Sequence, residues 1–97
     1  METKQIKTQA EIDAYRVKGE KAHLDLREWA GGDIDLEGAK TGDIYLEGAK
    51  TGDIHLWGAE IGDIYMEGAK TGNIGLWGTK MGYINLVSTK TGNIDRD

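Results

Sequence analysis

The sequence predicts an all-β solenoid with a twenty-residue coil, folded as a square of four five-residue sides and closed at the N-terminus by a short helical cap. Three observations predict it. A phrase close to Gly-Asp-Ile-x-Leu-x-Gly-Ala-Lys-Thr repeats every ten residues without a gap from Gly32 onward, and a strict short repeat is the mark of a stacked architecture. Each ten splits into two fives whose first and third residues are apolar or small. Residues two apart on a strand share a face, so these pairs point inward and the residue between them points out. Third, alternate tens agree where neighbouring tens differ. Trp57 recurs at Trp77, Tyr45 at Tyr65, Glu47 at Glu67 and Asn73 at Asn93, and the departures Ile61 and Met81 are also twenty apart. Residues one coil apart stack and select for each other as cross-strand neighbours do.

The elements follow in chain order. Thr8-Gln9-Ala10-Glu11 has the form of a capping box, and Gly19 supplies a stop, so a helix is expected at about residues 9–18. Leu24-Asp25-Leu26-Arg27-Glu28 alternates like an inbound strand, and Trp29 stands where the next five would begin. Exposed strand edges at the end of a stack need covering, so residues 1–32 read as the N-terminal cap. Residues 33–97 form the repeat region, with about three coils between Ile34 and Asn93. Ile/Leu pairs such as Ile44/Leu46 alternate with smaller pairs such as Ala49/Thr51, and Gly with Gly-Asp or Gly-Asn supplies the turns. Thr41, Thr51, Thr71 and Thr91 are expected inward, bonded to one another or to backbone. Nothing comparable covers the last coil, so that end is expected to be either protected by charge or paired with another copy in a two-fold homodimer.

Composition narrows the field. Ninety-seven residues make one domain with little room for a conventional core, a limit that a stack avoids because each coil buries its neighbour. There is no Cys to staple a narrow ten-residue coil, and no Pro to interrupt strand pairing. No apolar run approaches a membrane span and no stretch reads as a secretory leader, so the expected location is cytoplasmic. The net charge is −5, and residues 1–32 balance six acidic against six basic side chains. The whole deficit lies in the repeats, with eleven acidic against six basic. An acidic rod binds nucleic acid poorly and attracts basic protein surfaces.

Fives such as Ala59-Glu60-Ile61-Gly62-Asp63 and Ile64-Tyr65-Met66-Glu67-Gly68 resemble the pentapeptide-repeat family over about two-thirds of the chain. The resemblance implies a right-handed quadrilateral β-helix. The family favours Leu or Phe at the third position, where Thr41, Thr51, Thr71 and Thr91 stand here. Large Ile/Leu pairs on two opposite sides and small Ala/Thr pairs on the other two would then give a flattened core. The same pattern also fits three chains wound into one β-helix.

Asp33, Asp43, Asp53 and Asp63 have the wrong period for calcium-binding repeats, and Asn73 and Asn93 take equivalent slots. Exchange of Asp with Asn points to a side-chain hydrogen bond in which charge is incidental, so no metal is expected. Lys50, Lys70 and Lys90 read as a solvated face that discourages aggregation. Tyr45 and Tyr65 should point outward beside Glu47 and Glu67, with Trp57 and Trp77 near a corner. In-register exposed aromatics either make a contact surface or merely shield the strands, and the two readings stand level. His23 and His55 are isolated, Ser88 is the only Ser, and no acid/base pair stands out, so no enzyme and no cofactor are expected.

The expected function is a non-enzymatic protein-interaction module. The resemblance implies a rod with the width and negative charge of duplex DNA, which some family members use to occupy the DNA-binding groove of gyrase-like topoisomerases. By that analogy Asp35, Asp43, Glu47, Asp63 and Glu67 would mimic phosphates, as in a phage-encoded inhibitor of a host DNA-binding machine. The partner would be a protein, with no direct contact to nucleic acid or membrane. The alternative is a structural trimer, a β-helical spike or fibre segment of a virion or secretion apparatus.

Overall fold

A computed structural model describes residues 1–95; Arg96 and Asp97, the end of the expected repeat region, lie outside the described residues. The strands are short and all pair in parallel. They are β1 (Thr3–Gln5), β2 (His23–Asp25), β3 (Ile34–Asp35), β4 (Ile44–Tyr45), β5 (Ile54–His55), β6 (Ile64–Tyr65), β7 (Ile74–Gly75), β8 (Ile84–Asn85) and β9 (Ile94–Asp95), with one helix, α1 (Gln9–Lys18). One sheet has the order β1-β2-β4-β6-β8 and the other β3-β5-β7-β9.

The register sets the length of the coil. Leu24 pairs with Ile44, Ile44 with Ile64, Ile34 with Ile54, and Tyr45 with Tyr65, always twenty residues apart. Single bridges Lys40–Glu60–Lys80 and Lys50–Lys70–Lys90 carry the same spacing through the segments between the sheets. The ten-residue phrase is therefore half a coil, in a parallel β-helix-like arrangement.

Hydrophobic pairs fill the space between the sheets. Ile34, Leu36, Ile44, Leu46, Ile54, Leu56, Ile64, Met66 and Ile74 are each no more than 2% exposed. Burying each contributes roughly 1.5–3 kcal/mol. Ala39, Ala49, Ala59 and Ala69 are buried on the remaining sides, and the space left among the Ile/Leu pairs is about 10 Å³. Such a gap holds one water at most. Thr41 is wholly buried, whereas Thr51, Thr71 and Thr91 are half-buried. Their hydroxyls donate to the carbonyl of the following glycine, at 2.8 Å for Thr41 and Thr51, and do not bond to one another.

Two glycines recur in each half-coil for different reasons. Gly38, Gly48, Gly58, Gly68 and Gly78 have φ between +69° and +72°, the left-handed region that L side chains enter at a cost. Ser88 occupies the same slot with φ +56°. The other glycine makes room: a Cβ on Gly52 would lie 2.2 Å from Asp33 Oδ1, and one on Gly72 would lie 2.3 Å from Asp53 Oδ1.

The N-terminal segment closes one edge with side chains. Thr8 caps α1, its Oγ1 accepting from Glu11 N at 3.3 Å. Glu11 Oε1 accepts from Lys7 N at 2.8 Å, one residue before the usual partner in a capping box. Ile12 and Tyr15 pack into the core. Gln9 then stands in for a strand: Asp35 N donates to its Oε1 at 2.9 Å, and its Nε2 donates to Asp35 O at 3.0 Å. The Tyr15 hydroxyl donates to Lys40 O at 2.7 Å and accepts from Ala22 N at 3.1 Å, while Arg16 donates to Glu37 O. β1 precedes the helix, where the sequence reading placed no strand; Lys4 pairs with Leu24, and Ile6 is buried.

Two outcomes follow from these contacts. Replacing Ser88 by Gly removes the left-handed penalty and raises stability by about 1 kcal/mol, read as a higher midpoint in thermal melts; a lowered midpoint would contradict the strain. Gln9→Ala strands both polar groups of Asp35 and costs about 1–3 kcal/mol in urea unfolding, with faster hydrogen exchange at the Asp35 amide.

Candidate interaction face

Strand alternation puts residues 45, 65 and 85 on the outer surface of the first sheet, one per coil. Tyr45 and Tyr65 stack there with ring centroids 5.4 Å apart and planes 7° from parallel. His23 tilts against Tyr45 at 6.3 Å, and Tyr83 meets Tyr65 edge-on at 6.0 Å. The result is a row of rings running along the stack. Tyr65 is hydrogen-bonded with Tyr83 and loses some water to its neighbours, and these effects push its phenol up to about 12. It therefore stays a neutral hydroxyl at physiological pH.

Carboxylates flank the row on both sides. Glu47 and Glu67 follow the tyrosines by two residues, and Asp43 and Asp63 precede them by two. Asp43 and Asp63 each serve the fold with one oxygen. Asp43 Oδ1 accepts from Asp63 N at 2.8 Å, and Asp63 Oδ1 accepts from Tyr83 N at 3.0 Å. His23 begins this ladder, its Nδ1 accepting from Asp43 N at 2.7 Å. An accepting Nδ1 places the ring proton on Nε2. At the other corner Asp33, Asp53 and Asn73 accept from Asp53, Asn73 and Asn93 N, all at 2.8 Å. Each bond spans twenty residues, from one coil to the next. An amide oxygen serves as well as a carboxylate, which explains why Asp and Asn share the slot.

Glu67 Oε1 accepts from Asn85 Nδ2 at 3.3 Å. Glu47 Oε1 is shielded from water and has no hydrogen-bond donor. One coil earlier in the same columns stand Asp25 and Arg27, joined in a fork: Arg27 Nε and Nη2 donate to Asp25 Oδ1 and Oδ2, both at 2.9 Å. The guanidinium holds the Asp25 carboxyl below the usual range, and Asp25 in turn raises Arg27, with a smaller push from Glu47 and Glu28.

Six of the nine expected contact residues thus share one face: Tyr45, Tyr65, Glu47, Glu67, Asp43 and Asp63. Trp57, Trp77 and Asp35 belong to the other sheet and its corner. Trp57, 43% exposed, lies edge-on to His55 at 5.6 Å, with its Nε1 2.3 Å from where a Cβ on residue 75 would stand. Gly75 leaves space for that ring, so Trp57 covers backbone of the next coil. Trp77 is 60% exposed. Asp35 is occupied by the cap: its Oδ1 accepts from Glu37 N at 3.1 Å and lies 3.9 Å from Arg16 Nη1. Sequence reasoning missed Tyr83 and Arg27. The twenty-residue columns contain Arg27 beside Glu47 and Glu67, but Tyr83 enters the row by leaning over from the aspartate column.

Elsewhere the surface has the opposite sign. Lys50, Lys70 and Lys90, with Thr51, Thr71 and Thr91, line an open groove of about 640 Å³. Among the described residues, Asp33, Asp53 and His55 place ligand atoms within 4.8 Å of one another, but the Oδ1 of each aspartate already serves the ladder. No helix among the described residues is long and apolar enough to cross a membrane. No protein-family model, curated protein or solved structure matches the chain.

The ladder makes a clean substitution test. Asp43→Asn keeps the acceptor and stays within about 0.5 kcal/mol of the parent, whereas Asp43→Ala orphans the Asp63 amide and costs about 1–3 kcal/mol. Equal unfolding midpoints for the two variants would remove the ladder as a source of stability.

Proposed function

We propose that this chain is a right-handed, four-sided β-helix of the pentapeptide-repeat kind that works as a non-enzymatic protein-interaction module. Its acidic face occupies the DNA-binding surface of another protein, a gyrase-like topoisomerase or a comparable host machine, and so inhibits it. One observation carries this reading: Asp43, Glu47, Asp63 and Glu67 border a rigid tyrosine row on a single face. Two carboxylates per coil at about 4.8 Å per coil give roughly one charge per 2.4 Å, close to the one per about 1.7 Å of duplex DNA. A basic cleft tuned to phosphates would meet a similar charge density here. The filled core and open surface grooves suit docking better than an enclosed reaction.

The trimeric spike or fibre segment is the second reading. Strand pairing and core closure within one chain favour the first, because a wound trimer shares both among chains. Mass by light scattering separates them.

The functional test is displacement. Excess protein should release labelled duplex from gyrase or another host DNA-binding protein, less so at high salt. Asp43→Asn with Asp63→Asn removes charge while keeping the ladder, and should weaken displacement about tenfold or more with unchanged melting. If no host DNA-binding protein loses its DNA, mimicry is wrong.

A further inference from the structure

Along the corner ladder one acceptor differs in kind from the rest. In the column of residues 23, 43 and 63, Asp43 and Asp63 accept the amide N–H twenty residues on with a carboxylate oxygen. His23 does the same with Nδ1, from Asp43 N at 2.7 Å. Gly42 makes the room: a Cβ there would lie 2.5 Å from Nδ1 and 2.9 Å from Cε1 of that ring. A carboxylate or amide oxygen accepts throughout mildly acidic conditions, whereas imidazole accepts only while it is neutral. Histidine changes charge between roughly pH 5 and 8. Among the described ladder residues, His23 is therefore the acceptor that a modest change of pH can remove.

We propose that His23 is a pH-sensitive latch between the cap and the first coil. A proton taken from solvent onto Nδ1 turns the acceptor into a donor that faces the Asp43 N–H, and the rung opens. The latch sits at a seam. Ala22, which precedes it, is buried and its carbonyl accepts from Gly42 N at 2.8 Å, and Leu24 N donates to Asp43 O at 2.9 Å. Both bonds flank the rung, so the corner at Gly42-Asp43 loosens first while the Ile/Leu stack stays closed.

The charges facing the ring leave the sign to that contact. Lys21 and Lys80 line its groove together with Asp43 and Glu60, and the amino group of Met1 and the Glu2 carboxylate belong to the segment whose Glu2 O accepts from His23 N. These six charges cancel. Asp25, two residues on, is held by Arg27, while β1 sets Thr3 opposite His23 and Tyr45 tilts against the ring at 6.3 Å. The folded chain thus favours the neutral ring and the unfolded chain does not. Unfolding takes up a proton, and stability falls as the pH is lowered through the histidine range.

The test follows single amides of the whole protein by hydrogen exchange in NMR, corrected for the intrinsic pH dependence of exchange. Between about pH 7 and about pH 5 the Asp43 amide should lose about tenfold in protection, and the Asp63 amide, held by the Asp43 carboxylate, little. His23→Asp supplies the acceptor found one coil later and should abolish that loss. In the parent, the Asp43 amide shift should also titrate with the same midpoint as the His23 ring, a readout that stands even where the variant folds poorly. Unchanged protection at Asp43, an equal loss at Asp63, an equal loss in His23→Asp, or separate midpoints for amide and ring would each overturn the latch.

Discussion

An aspartate oxygen in one coil accepts the backbone N–H of the residue twenty positions later, and at that point the next coil carries glycine to let the side chain pass. Strands of two residues have little pairing strength of their own and could slip against a neighbour. A side-chain bond at each Gly-Asp corner pins every coil to the one before it. The Ile/Leu pairs then stack in line, and the outer columns of tyrosine, glutamate and lysine inherit the same alignment. Glycine and aspartate in this phrase act as one device: a Cβ at Gly52 would collide with the oxygen that Asp53 N needs.

Much of this was legible because the interior is nearly one-dimensional. A pair such as Ile44/Leu46 sees the same surroundings as Ile64/Met66, so its spacing reports strand, face and coil length together. The capping signals around Thr8 and Gly19 are equally local, and the helix lies between them. β1 was invisible for the opposite reason. Thr3-Lys4-Gln5 carries no apolar alternation, and only Ile6 is buried there, so its pairing with β2 depends on where the later coils place an edge. The face was partly legible. Columns twenty apart put Tyr45 on Tyr65, but no spacing says that Tyr83 leans across a column, or that Trp57 turns its indole nitrogen toward Gly75.

Repetition also sorts charge. Several columns add the same kind of side chain to the one before, so sign accumulates along them, whereas Lys40, Glu60 and Lys80 alternate in theirs. The tyrosine face gathers carboxylates, while Lys50, Lys70 and Lys90 gather on a groove of their own. The net charge of −5 therefore understates the field on either surface. Departures from the repeat, such as Arg27 in a glutamate column, are where that accumulation is interrupted and a local pairing appears.

Gln9 gives the stack a direction. A primary amide carries its donor and its acceptor on separate atoms, as a peptide group does, and here it matches both polar groups of Asp35. Any foreign strand seeking that edge of β3 must first displace two hydrogen bonds and the helix that positions them. One neutral side chain thus makes the edge a poor template for uncontrolled strand addition, and it does so without placing another charge beside the acidic columns.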